Sequence, residues 1–275
     1  MIQFPNDVNS NRIADWVELF VITENRKISK MKIQTLFEEE GIDLESKIDG
    51  IIIELNRRIT LYGVSSPIAI NGVSIEPKIK WRENPFHTLC LIFSTFGVED
   101  TTDGGTILFE QIGNIFLKEF LGSKTIHLGF PTSTNLNTQL GNIADSTFEP
   151  RGALIPDARE KDSKVDVISW IPFNDSRNSQ IIVLAQCGAG ADWKTKIPIS
   201  LSTWSQYINW NFETTIPSMM ITQIVQADKW RKYSSTYGML IDRARLLRIH
   251  SHFHNNIPTP LKKDVLKWCK SKLNP

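Results

Sequence analysis

KVDVISWIPFNDSRNSQIIVLAQCGAGADWKTK, residues 164–196, is the stretch on which the fold turns. Val165 to Trp170 and Gln180 to Cys187 are rich in β-branched residues, and Asn174 to Ser179 between them is dense in turn formers. The pattern predicts a β-hairpin. Asp166 and Gln186 lie equally far from Ser176, so a symmetric hairpin sets them directly opposite each other with side chains on one face, unless a one-residue bulge intervenes. A lone carboxylate in an apolar run is costly to bury unless it is paired or bound to a cation. Asp166 therefore calls for a partner.

Outward from the hairpin, Ile107 to Leu121 has the spacing of an amphipathic helix stopped by Gly122, with Phe109, Ile112, Phe116 and Phe120 as its buried stripe. Glu110 and Glu119 fall on opposite flanks of that stripe, so at most one easily faces a shared site. Pro131 to Arg159 reads as a long irregular region. After the hairpin, Asp192 suits the N-cap of a helix carrying Lys194 and Lys196. Ser218 to Val225 reads as a strand, Leu240 to Ile249 as a helix or a strand, and Pro260 to Leu273 as a terminal helix. His250, His252 and His254 either share one face of a strand, a zinc-binding pattern, or lie solvated in a loop.

Upstream the pattern is helical, with apolar spacing near 3.6 in Ile13 to Val21, Met31 to Phe37 and Ile48 to Leu61. A short hairpin turning at Asn71-Gly72 follows, and Pro85 opens a further helix. Gly97 to Gly105 has the composition of a linker. The expected organisation is α/β (α+β): residues 1–104 form a mostly helical domain with a small hairpin, and residues 105–275 form a domain with a mixed central sheet flanked by helices.

The 275 residues are long enough for one large or two ordinary domains, and a net charge of +1 argues against a protein that coats nucleic acid by bulk electrostatics. The apolar runs are too short to span a bilayer and the N-terminus lacks a signal-peptide pattern, so a cytoplasmic location with no membrane is expected. The 3 cysteines have no metal-ligand spacing and suggest no disulfide framework. From Lys229 onward the chain is basic, which reads as a solvated face or as phosphate-backbone contacts, with Arg243, Arg245 and Arg248 as nucleic-acid-binding candidates.

A helix with Phe109-Glu110, a strand with Asp166, a strand ending in Gln186 and then a helix with lysines resembles, in that order, the PD-(D/E)XK nuclease superfamily, in particular its Mrr-like branch. Val165 to Trp170 with Pro172-Phe173, Asp175, Arg177 and Gln186-Cys187 looks like a group of bacterial proteins of that superfamily. The resemblance covers Ile107 to Lys196 and implies a restriction-endonuclease-like fold and Mg²⁺- or Mn²⁺-dependent hydrolysis of nucleic-acid phosphodiesters, with DNA as substrate. Asp166, Gln186 and Glu110 are then the metal ligands, offering hard oxygens to the cation. Gly188 stands where the motif has its catalytic lysine, and Lys196 takes that role, with Lys194 and Lys164 as alternatives. The resemblance also implies a setting in anti-phage defence or restriction; the helical N-terminal domain, in a chain with no ATP-binding motif, suggests docking of a separate helicase or ATPase partner protein. The alternative is a degenerate member that binds nucleic acid or a partner without cleaving.

Overall fold

A capping side chain starts the first helix: Asn9 Oδ1 accepts the Arg12 N–H at 3.0 Å, and α1 (Ser10–Glu24) runs until Asn25 turns left-handed at φ 49°. This is a computed structural model, and it describes residues 2–5, 7, 9–128, 135–157 and 163–273. β1 (Ile28–Ser29), α2 (Lys30–Glu39), α3 (Ile48–Tyr62), β2 (Ile68–Asn71), β3 (Ser74–Pro77) and α4 (Pro85–Phe96) follow. The small antiparallel sheet has the order β1-β3-β2. Its hairpin turns one residue later than expected, because Asn71 pairs with Ser74 and leaves Gly72 and Val73 in the turn. Gly72, at φ 61°, takes the first central position, as in a type II′ turn. Asn84 caps α4 and Pro85 occupies its first turn, where a missing N–H costs nothing.

After α4 come α5 (Gly105–Leu121), β4 (Lys124–His127), α6 (Leu136–Thr147), β5 (Val167–Ile171), β6 (Ile181–Gly188), a 3-10 turn (Ala191–Thr195), α7 (Leu201–Tyr207), β7 (Thr215–Ile221), α8 (Ala227–Tyr237) and β8 (Met239–Ile241). The five strands form one mixed sheet in the order β4-β5-β6-β7-β8. β4, β5 and β6 are an antiparallel meander, while β7 and β8 run parallel to β6. Side chains alternate along these strands. Ile168, Trp170, Ile182 and Leu184 pack with Leu140 and Ile143 of α6 and Trp204 and Tyr207 of α7. The other face meets α5, where Gly113 lies so close that a Cβ would stand 3.2 Å from Cys187 Sγ and 2.5 Å from Met220 Cε.

Several expectations change here. The region read as irregular contains α6, the segment after the hairpin is a 3-10 turn instead of a helix, and Leu240 to Ile249 divides between β8 and the next helix. Phe120, expected in the buried stripe of α5, is 47% exposed. Among the described residues no helix is long and apolar enough to cross a membrane.

α9 (Arg243–Phe253) and α10 (Thr259–Leu273) complete the chain. It divides into two compact units: Met1–Gly105 with Ala189–Ala191 and Arg243–Pro275, and Thr106–Gly188 with Asp192–Asp242. The basic C-terminal region, assigned from sequence to the second domain, thus groups with the first unit. Within that unit α10 packs on α4 through Phe93 and Trp268, ring centroids 4.9 Å apart.

The first unit buries a network of charge. Arg58 bonds Asp15 at 2.6 Å and Glu54 at 2.8 Å, and Arg243 bonds Asp15 at 2.5 Å and the Tyr62 hydroxyl at 3.2 Å. Glu18 accepts from Tyr62 at 3.1 Å and from His87 Nε2 at 2.7 Å. Arg243 is therefore a fully buried structural cation and cannot meet a phosphate, unlike Arg245 and Arg248, which are exposed. His250 and His254 belong to α9 and the turn after it, not to a strand, and the side chain of His252 lies outside the described residues.

Candidate active site at the end of the central strands

The β5–β6 register pairs Val167 with Ala185, and one further step sets Asp166 against Gln186. The backbone departs from the ladder at that step. Asp166 donates its N–H to the Ala185 carbonyl at 2.9 Å, while its own carbonyl accepts from Leu128 at 2.7 Å, so the residue bonds to both neighbouring strands. Ser163 and Lys164, with φ of 45° and 71°, form the kink that precedes it. Lys164 is exposed and lies outside the strand, which removes the basis for placing it on the Asp166 face.

β6 continues past this point, and both backbone groups of its next residue are held by side chains. The Cys187 N–H donates to Asp166 Oδ2 at 2.6 Å, and the Cys187 carbonyl accepts from Lys196 Nζ at 3.2 Å. A carboxylate and an ammonium group thus take the place of the missing partner strand. Glu110 approaches from α5 and bonds His127 Nε2 of β4 at 3.0 Å, both side chains being part-buried. The Cys187 thiol registers the whole arrangement: burial, then the charges of Asp166 and Glu110, push it well above the usual thiol range, with Lys196 acting in the opposite direction. It stays protonated at neutral pH, which argues against a cysteine nucleophile.

Asp166 and Lys196 accordingly meet at one residue, and the charge of Glu110 acts on its thiol. Gln186 lies next to it but on the other face, since alternation along β6 turns it with Leu184 and Gly188 while Cys187 faces α5. It is 5% exposed, and its Oε1 is a buried acceptor with no hydrogen-bond partner. An acceptor left so costs about 1–3 kcal/mol unless something meets it. Lys194 is exposed, its ammonium 6.0 Å from the Trp193 ring centroid. Sequence reasoning did not single out His127, because β4 is only 4 residues long and carries too little periodicity to announce itself.

Two carboxylates are hard donors of the kind Mg²⁺ or Mn²⁺ prefers, but Gln186, which the resemblance implies as the third ligand, turns to the opposite face from Glu110, and its side-chain oxygen does not join them. Among the described residues no group of three or more His, Cys, Asp or Glu side chains is disposed to hold a metal ion. Any cation here therefore relies on main-chain oxygens or water besides the two acids.

No protein-family model matches this chain, and no curated protein matches its sequence. In structure it has a loose likeness to the restriction endonuclease FokI, at a TM-score of 0.21 and 10% identity, over 96% of this chain and 46% of that one. The chain spans about half the length of that neighbour, and a likeness so loose carries no argument.

Proposed function

We propose that the second unit is a metal-dependent endonuclease acting on DNA phosphodiester bonds, with Glu110 and Asp166 as the carboxylate donors for Mg²⁺ or Mn²⁺, Lys196 as the cationic group at the reacting phosphate, and Gln186, on the opposite face of the sheet from Glu110, outside the metal's ligand set. The observation that carries the reading is that Asp166 and Lys196, from elements far apart in sequence, bond the two backbone groups of Cys187 at one strand end, with Glu110 on the adjoining helix, its charge acting on the Cys187 thiol. A bound divalent cation supplies an activated water and neutralises charge on the phosphoryl oxygens. Lys196 adds a fixed positive charge where charge develops in the transition state. His127 restrains the Glu110 carboxylate, and the Cys187 N–H restrains that of Asp166, so neither acid needs to be ordered when the substrate arrives.

Purified protein incubated with supercoiled plasmid and Mg²⁺ is expected to nick or linearise it, and EDTA to stop the reaction. Asp166→Asn keeps an oxygen acceptor for the Cys187 N–H but removes the charge, and is expected to abolish cleavage without unfolding the protein. A second reading, a nuclease-fold subunit that binds DNA without cutting it, is favoured by Gly188 at the expected lysine position. It predicts a gel shift at low salt with intact plasmid under every metal condition.

A further inference from the structure

Lys196 follows a short 3-10 turn, Ala191–Thr195, and such segments have poor hydrogen-bond geometry and little stability of their own. Two contacts hold this one down. Trp193, 1% exposed, packs on Gly188 so closely that a Cβ at position 188 would stand 2.7 Å from Trp193 Cβ. Any side chain there, a lysine included, would push the tryptophan off the strand. A lysine at position 188 and the close Trp193 contact are thus mutually exclusive.

The second contact comes from the end of α8. The Tyr237 hydroxyl stands 3.2 Å from the carbonyl oxygen of Trp193, 3.0 Å from that of Lys194 and 3.1 Å from that of Lys196. One proton serves three acceptors, and all three distances exceed the ~2.7–2.8 Å of a single O–H···O bond, as sharing requires. Tyr237 is buried at 4% exposure, and its ring lies 5.8 Å from that of Trp193, so the hydroxyl is aimed by packing instead of by solvent.

We propose that Tyr237, acting with the Trp193–Gly188 contact, is a positioning residue that sets the main chain of the turn so that the Lys196 ammonium reaches the Cys187 carbonyl beside Asp166. The inference rests on the nuclease reading for its catalytic consequence, but the placement of Lys196 can be measured without it.

Tyr237→Phe keeps the ring and removes only the hydroxyl. In steady-state DNA cleavage, kcat is expected to fall about tenfold, the scale of one lost hydrogen bond. KM should stay within about twofold, since bound substrate gains nothing from the change. In a Lys196→Ala background the same substitution should have no further effect; an equal loss there would mean that Tyr237 acts generally on the fold, and would overturn the proposal. The second arm uses ¹³C-methylated lysines observed by NMR, with the Lys196 signal assigned by its absence in Lys196→Arg. That signal should stand apart from those of exposed lysines in the parent protein and join them in Tyr237→Phe; an unmoved signal overturns the clamp. Should the parent protein leave DNA intact, the nuclease reading fails while the NMR arm still decides the placement of Lys196.

Discussion

The two units bury charge in different ways. In the first, the guanidinium groups of Arg57, Arg58 and Arg243 face the carboxylates of Asp15, Glu18 and Glu54, and Tyr62, His87 and Ser94 supply further hydrogen bonds. In the second, the charges that act on Cys187 are two carboxylates and one ammonium, and the neighbouring Gln186 oxygen has no donor. Charge balanced within the fold, three guanidinium groups facing three carboxylates, reads as scaffold, with the His87 Nδ1 left as an unmet buried group. Carboxylates gathered at a strand end beside a buried amide oxygen with no donor read as a place for something the chain does not itself contain.

The sharpest way to break the comparison is to remove one guanidinium from the closed network. Arg243→Ala leaves Asp15 and Glu18 buried with one cation fewer and is expected to destabilise the first unit by about 3–5 kcal/mol, read from urea unfolding. Loss of activity with unchanged stability would move Arg243 from scaffold to site.

Acid tests the same network from the other side. Burial alone would raise the pKa of Glu18, but the His87 hydrogen bond and the charges of Arg243 and Arg58 override it and hold the carboxyl at about 2, and Glu54 is held as low by Arg57 and Arg58. A carboxyl depressed on folding contributes stability that is complete above its unfolded pKa and is lost as the pH falls towards the folded one. The loss should therefore run from about pH 4.5 down to about 2 and amount to about 3 kcal/mol for Glu18. His87, held neutral by burial, adds to the loss in acid, because its protonation favours the unfolded chain. Stability measured across that range in Glu18→Gln should show a flatter acid limb than the parent.

In the open cluster the expectation is reversed, with function moving and stability staying. Asp166→Asn should lower Mg²⁺-dependent cleavage by about a hundredfold or more while changing unfolding free energy by less than about 1 kcal/mol. The smallest change concerns Gly188. Gly188→Ala puts a methyl group against Trp193 and should cost about 1–3 kcal/mol by overpacking, read as a lowered midpoint of thermal unfolding, with cleavage reduced through displacement of the turn.

The hairpin of residues 164–196 was legible because two β-branched runs lie symmetrically about a turn-rich segment, and symmetry alone predicts the register that pairs Val167 with Ala185. The departure at Asp166 was not, since it depends on Leu128, which draws the Asp166 carbonyl towards β4. α6 was hidden by composition: Gly141 and a run of Asn, Thr and Ser dilute its apolar positions, and it is held as a helix by the Asn135 cap and by packing of Leu136, Leu140 and Ile143 on the sheet. Arg243 looked like a phosphate contact for a similar reason. Its partner Asp15 lies 228 residues away in sequence, and nothing local to an arginine on a basic helix announces that acids await it in a core.

Diffraction from crystals soaked in Mn²⁺, with anomalous data collected at the manganese edge, tests the contrast most directly. A peak is expected at the end of β6, within ligand distance of Asp166 and lost in Asp166→Asn, and none at the network of Arg58 and Arg243. A strand end without manganese at saturating metal, or a peak unaffected by Asp166→Asn, would contradict it.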